Sequence, residues 1–250
     1  MRPLALVTGS CRRLGAHIAA RLAEAGYDLA LHTGHDPEPE PWLGARIAAV
    51  EHHVFAADLA DSAAVEALPE QVAAHFGRPV ALLVNSASRF EALDGARPGE
   101  GGGYEDLAAH LRVNCVAPYA LATRVSAAGA AAVINILDQR IAQPPVDQLA
   151  YTLSKQALAE VTRTLAVALA PRTRVNGVAP GLTIPTPDYG AAQLDRLAAM
   201  MPLAHLPAPE DVADAVAWLA QARSVTGQVV YVDAGAHLRS YQRDFVHLGR

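Results

Sequence analysis

Tyr151 and Lys155 stand four residues apart, and Asp138 precedes the tyrosine by thirteen. On a helix, that spacing sets the phenol and the ammonium on one face, a turn apart. A cation close to a phenol favours the phenolate, so the pair predicts a pKa drawn down from about 10 and a proton donor usable near neutrality. The apolar run 131–137 predicts a strand that delivers Asp138 to its carboxyl end, the edge at which open α/β sheets hold their ligands. A hydroxyl there would donate to a ketone oxygen. An ionised carboxylate only accepts, which suits a substrate presenting N–H groups. The same negative charge opposes ionisation of Tyr151, weakening a phenolate base for oxidation and leaving a phenol acid for reduction.

These groups need a scaffold, and the chain alternates the elements of one. Runs 4–8, 28–33, 51–56, 80–85, 131–137, 174–178 and 228–232 read as strands, several apolar throughout, as a sheet covered on both faces requires. Segments 13–25, 62–76, 104–127, 150–170 and 209–220 read as helices, the last opening with Pro209, Glu210 and Asp211 at the positive end of its dipole. The alternation predicts an α/β, doubly wound Rossmann fold with a seven-stranded parallel sheet and helices on both faces. No repeat or linker divides it, so residues 1–250 read as one domain, with 238–250 extending past the last strand. Segments 35–41 and 94–103 read as exposed loops, and 182–189, with two prolines before a helical stretch, as a mobile lid over a pocket.

Strand one runs into Thr8-Gly9-Ser10-Cys11-Arg12-Arg13-Leu14-Gly15 and then a helix. Gly9 and Gly15 allow a tight turn and close approach to a pyrophosphate, which a helix amino terminus attracts. Dinucleotide folds that prefer the unphosphorylated cofactor end strand two on an acid. Here the strand closes on His32-Thr33, and Asp36 comes later in the loop. Guanidinium groups bind phosphate well, so Arg12 and Arg13 point to the 2′-phosphate of NADPH. Cys11 reads as packing. His32 and His35 read as structural, with His35 a second neighbour for that phosphate, and adjacent His52 and His53 face opposite ways on a strand, a poor metal pair. No metal is expected.

Net charge is −5 and the pI about 6.0, which gives no nucleic-acid footprint. Hydrophobic residues, 52% of the chain, suffice for a substantial core, yet no apolar run approaches a membrane span. Two cysteines make no disulfide framework, and a first strand starting near Pro3 leaves no room for a leader; a reducing, cytoplasmic setting is expected.

Together these residues resemble the short-chain dehydrogenase/reductase family over nearly the whole chain. The resemblance implies that Asp58-Leu59 meets the adenine, and that Asn85-Ser86-Ala87-Ser88 is the counterpart of the family's Asn-Asn-Ala-Gly motif, bringing Asn85, Ala87 and Ser88 to the cofactor. It makes Asn114 the asparagine supporting Lys155 through water, and Pro180-Gly181-Leu182 the turn beside the nicotinamide. Within the family the chain is most similar to pteridine reductases: Thr8, Gly9, Arg13 and Gly15 fit their Thr-Gly-x-x-x-Arg-x-Gly loop, and Asp138 fits the aspartate they carry in place of serine. Phe90 aligns with the phenylalanine that sandwiches a pterin. Bacterial dihydromonapterin reductases share the aspartate.

The resemblance implies hydride transfer from NADPH to a pterin C=N, with Tyr151 or Asp138 protonating the adjacent nitrogen and Tyr151 and Lys155 both touching the cofactor. Lys155 would hold the ribose, Arg13 would bridge cofactor phosphate and pterin, Phe90 would stack on the ring and Ser88 would border it. Read from the residue alone, Phe90 fits a core aromatic equally well. A general carbonyl reductase for 3-oxoacyl or sugar substrates and an NADPH-binding sensor without turnover are the competing functions; a sensor has no need of a proton donor. The family also implies a homotetramer packed through helices 104–127 and 150–170. The tail, with Tyr241, Arg243 and Phe245, reads either as reaching a neighbouring subunit's pocket or as covering the sheet.

Overall fold

The computed structural model describes residues 1–35, 38–90 and 103–249. Strands β1 (Leu4–Val7), β2 (Asp28–Thr33), β3 (His52–Ala56), β4 (Leu82–Asn85), β5 (Ala132–Ile136), β6 (Arg174–Pro180) and β7 (Val229–Val232) form one parallel sheet in the order β3-β2-β1-β4-β5-β6-β7. β1, β2, β4 and β5 are buried at every position, because helices cover both faces. The edges β3 and β7 are partly exposed.

Helices α1 (Arg13–Glu24), α2 (Pro41–Ile47) and α8 (Pro209–Gln221) lie on one face, where Ile18, Leu22, Leu43, Val212 and Leu219 pack on Val7, Leu31 and Ile134. α3 (Ser62–Phe76), α5 (Ala117–Ala127) and α6 (Leu149–Ala168) cover the other, with Leu68, Leu121 and Leu165 against Leu6, Leu83 and Val133. Local signals mark the ends: Asp61 accepts from the Ala63 amide at the start of α3, and Asp211 from the Ala208 amide at the start of α8. α7 (Ala191–Met200) packs Leu197 and Met201 on Ala236 and Phe245. Among the described residues no helix is long and apolar enough to cross a membrane.

Two elements differ from the sequence reading. The segment expected as a loop up to position 41 gives way to α2 at Pro41, a proline at a first helical position. The single helix expected over 104–127 is α4 (Tyr104–Leu111), a π-helical segment Arg112–Val116, then α5. Pro118 has no N–H to give the carbonyl of Asn114 four residues earlier, so the ladder shifts register there. The loop read over 94–103 lies outside the described residues except Gly103, which precedes α4, and Asp36 lies outside them too.

Candidate functional site

Strand order reverses between β1 and β4, and the cleft opens at their carboxyl ends, as such sheets dictate. Its volume is about 940 Å³, toward the upper end for small-molecule sites.

The first half is built on the glycine loop. A Cβ on Gly9, at φ 65°, would stand 2.8 Å from Cα of Ala87, and one on Gly15 would stand 2.1 Å from the Gly9 carbonyl oxygen. Only glycine fits either position. Thr8 Oγ1 accepts from the amides of Ser86 and Ala87, both at 3.0 Å, tying the loop after β1 to the loop after β4. His32 fastens the loop from below. Its Nδ1 accepts from the Gly9 amide at 3.1 Å, its Nε2 donates to the Ala57 carbonyl at 2.9 Å, and its own amide donates to Ser10 Oγ at 3.0 Å. Those bonds fix the neutral Nε2–H tautomer, and burial pushes the imidazole pKa below its usual range. His32 is thus a structural residue of the loop, and Cys11 is buried beside it.

Arg12, Arg13, Leu14, Gly15, His35, Asp58 and Leu59 border this half of the cleft. Arg12, at the N-cap of α1, makes no side-chain capping bond, and the positive end of the helix faces the cleft. Arg13 adopts φ 53° and reaches across to the lid segment, its Nη2 donating to the Ile184 carbonyl at 3.0 Å. Asp58 holds its own turn, accepting from the Ala60 amide. A narrow glycine cradle, a helix amino terminus and two exposed guanidiniums fit a phosphorylated dinucleotide.

The second half carries the proton-handling groups. Tyr151 Oη donates to Asp138 Oδ2 at 3.0 Å, and Lys155 Nζ donates to the Ile136 carbonyl at 2.9 Å, beneath the cleft. The phenol pKa is raised well above its usual value, first by burial and then by the charge of Asp138. This corrects the expectation that Lys155 draws it down: the ammonium is committed to the strand end, and the carboxylate faces the phenol instead. Burial lowers Lys155 to about 8, with Arg140 adding to the effect and Asp138 opposing it.

Phe90 is 43% exposed and meets the Tyr151 ring edge-to-face at 4.9 Å, so it stands at the cleft and not in the core. Ser88 and Ala87 border the cleft beside it, and Pro180, Gly181 and Leu182 lie opposite. Asn114, in the π-helical segment, is buried; its Oδ1 accepts from the Arg89 amide at 2.7 Å, and its Nδ2 donates to the Arg89 carbonyl and Ser154 Oγ. Its direct bonds therefore position the strip that carries Phe90. Asn85, expected at the cofactor, is buried and does not line the cleft; it donates to Asn135 Oδ1 at 2.8 Å, tying β4 to β5. Residues 182–189 border the cleft through Leu182, Thr183, Ile184, Thr186, Asp188 and Tyr189. His53 stacks on His75 at the β3 edge, 3.9 Å between ring centres.

Arg140, Gln148 and Asp244 escaped the sequence reading. Arg140 is buried between Asp138 and Asp244, and Asp244, Phe245 and Val246 border the same cleft. The tail thus folds over the site of its own chain, a third course beside the two expected. The one local signal was a basic residue two positions after Asp138.

A seven-stranded doubly wound sheet with a glycine cradle and a buried Tyr–Lys pair defines a dinucleotide-dependent oxidoreductase scaffold. Residues 9–237 match the family model described as enoyl-(acyl carrier protein) reductase, and the chain belongs to the short-chain dehydrogenase/reductase family. Pteridine reductase 1 of Leishmania tarentolae is 31% identical, with 94% of this chain and 96% of the relative covered. A ketoacyl reductase of the granaticin polyketide synthase from Streptomyces violaceoruber is 33% identical, with the same two shares. Among solved structures, FolM alternative dihydrofolate reductase 1 from Brucella suis, in complex with NADP, superposes with a TM-score of 0.83 at 34% identity, covering 95% of this chain and 96% of that one. The likeness to pteridine reductases read from the motifs thus extends over the whole fold.

Proposed function

We propose that this single domain is an NADPH-dependent reductase of a pterin-type C=N bond, in a dihydropterin or dihydrofolate-like substrate. One observation carries the reading: Asp138 Oδ2 stands 3.0 Å from Tyr151 Oη at the cleft, so the phenol is paired with an acceptor where a ketone reductase would use a donor. A pterin presents ring N–H and amine groups that a carboxylate accepts. The likeness to pteridine reductase 1 and to the Brucella FolM structure supports it. The ketoacyl reductase is as similar overall, so the residues of the site, Asp138 first among them, carry the reading.

Arg12 favours NADPH by meeting its 2′-phosphate, Arg13 bridges the cofactor phosphate and the substrate, and β2 ends at Thr33 without an acid to repel a 2′-phosphate. Bound NADPH supplies the hydride. Gly9, Gly15 and the amino end of α1 hold the pyrophosphate, Asp58 and Leu59 border the adenine, and Pro180 to Leu182, with Ala87 and Ser88, flank the nicotinamide. Lys155 holds the ribose. Phe90 covers one face of the substrate ring, with Arg13 and Ser88 at its rim. Asp138 orients the ring by accepting its N–H groups, and Tyr151, whose raised pKa keeps its proton in place, donates to the substrate nitrogen. Asn114 steadies the Ser88–Arg89 strip. No metal takes part.

The deciding experiment follows NADPH oxidation with dihydrobiopterin, dihydrofolate and a panel of 3-oxoacyl and sugar ketones. Pterin turnover is the expected result. A ketone-only profile overturns the reading in favour of a carbonyl reductase, and tight NADPH binding without any turnover makes the protein a sensor.

A further inference from the structure

We propose that Arg140 is a positioning residue for the reaction, locking Asp138 and Tyr151 in register by tying them to Asp244 of the C-terminal tail; this rests on the reductase reading above. Arg140 is 6% exposed, and its guanidinium reaches three segments at once. Its Nε donates to Asp138 Oδ1 at 3.2 Å, at the end of β5. Its Nη1 donates to Gln148 Oε1 at 2.9 Å, three residues before Tyr151, and its Nη2 to Asp244 Oδ2 at 2.5 Å, 104 residues further along the chain. The Arg140 amide also donates to Asp138 Oδ1, at 3.0 Å. The guanidinium carbon stands 4.8 Å from the centre of the Tyr151 ring.

This geometry does more than glue the tail down. Two donors from Arg140 occupy Oδ1 of Asp138 and leave Oδ2 to Tyr151 and the cleft, so the carboxylate offers its open acceptor in one direction. Gln148 takes φ 51°, a left-handed conformation rare outside glycine, while presenting its amide oxygen to Arg140. A planar fork can satisfy three acceptors in fixed directions; an ammonium on a flexible stem cannot. A buried guanidinium is costly unless paired on every side, and here the tail supplies the second carboxylate. Asp244 is itself held, its amide donating to Asp147 Oδ1 at 2.9 Å, while Arg243 Nε donates to Asp147 Oδ2 at 3.3 Å. Phe245 and Val246, next along the tail, border the cleft. Seating the tail and aligning the proton-handling pair are therefore one event.

The titratable groups facing Arg140 are Asp138, Tyr151 and Asp244, with Tyr189, Lys155 and Asp147 around them and His247 and Arg243 on Asp147. Its positive charge favours the deprotonated forms of both Tyr151 and Lys155. Removing that charge should move both ionisations to higher pH.

The test compares Arg140→Met, Arg140→Lys and Asp244→Asn with the wild type, on whichever substrate class the wild type reduces, and with NADPH affinity read by fluorescence. Arg140→Met should lose about 10–100-fold in kcat with NADPH affinity unchanged near pH 7, where Lys155 is charged in both proteins, and the alkaline limb of its pH–rate profile should move upward. Arg140→Lys should recover part of the rate, since it meets one carboxylate and not both. Asp244→Asn should raise KM and lower kcat less than Arg140→Met does. A cooperatively melting Arg140→Met variant with wild-type kcat and an unmoved alkaline limb overturns the proposal. Should Arg140→Met not fold, Asp244→Asn decides, and an unchanged kcat/KM there overturns it. A wild type active only on ketones, with the same loss in Arg140→Met, sinks the pterin reading alone; no turnover on either class sinks both.

Discussion

Asp138 and Tyr151 share one hydrogen bond, and the direction of the proton in it sets the chemistry. The phenol donates and its pKa is raised by burial and by the carboxylate, which suits an acid that gives its proton to an incoming nitrogen. Tyr151→Phe should cost about 10²–10⁴ in kcat for pterin reduction, the usual range for a lost general acid. Asp138→Ser should impair pterin turnover far more than NADPH binding, and steady-state kinetics beside a fluorescence titration will separate the two. Unaltered pterin turnover in Asp138→Ser would remove the carboxylate from the mechanism. Lys155 gives a second handle. Burial lowers its pKa to about 8, so in the free enzyme it is charged below that pH and neutral above it. If its charge holds the ribose, kcat/KM for NADPH should fall as pH rises past about 8, because this ratio reports free-enzyme ionisations. A profile flat well into the alkaline range would deny Lys155 that role.

At the scale of elements, the glycine loop depends on a neutral histidine. Protonating Nδ1 of His32 would set an N–H against the Gly9 N–H it now accepts from. Burial keeps the folded pKa low, whereas an unfolded histidine takes up its proton near pH 6.5. Below that pH the unfolded chain binds the extra proton, so stability falls as pH drops from about 6.5 toward the folded pKa. Melting temperatures measured across this range should decline more steeply for the wild type than for His32→Asn, and equal slopes would refute the assignment. The loop, the Tyr–Lys helix and the strands were legible in the sequence because each is a local signal: spaced glycines after an apolar run, a four-residue interval, a short all-apolar stretch. The π-helical segment was hidden because the propensities of 104–127 suit a continuous helix, and Pro118 alone marks the break. Arg140 and Asp244 were hidden for a different reason. Their pairing joins residues 104 apart and depends on where the tail packs, which no local pattern encodes.

On the whole-molecule scale, Val116 and Tyr119 beside Leu149, Leu153 and Val167 leave large apolar side chains exposed on the π-helical segment, α5 and α6, with Val167 at 80%. These helices are the ones through which the family resemblance implies a tetramer, and exposed apolar side chains there suit an association surface. Light scattering should return four chains, and pairing Leu153→Glu with Tyr119→Glu should give a smaller assembly; a wild-type monomer would overturn the expectation. The two chain ends also differ in a way that matters at the bench. Met1 is fully exposed, whereas Gly249 gives its carbonyl to Arg196 at 2.5 Å, just beyond residues that border the cleft. An affinity handle fused to the carboxyl end would pull against that seat, while the same handle on the amino end hangs free. Preparations differing only in tag placement should therefore differ in measured substrate affinity, and the amino-terminal form is the one to assay.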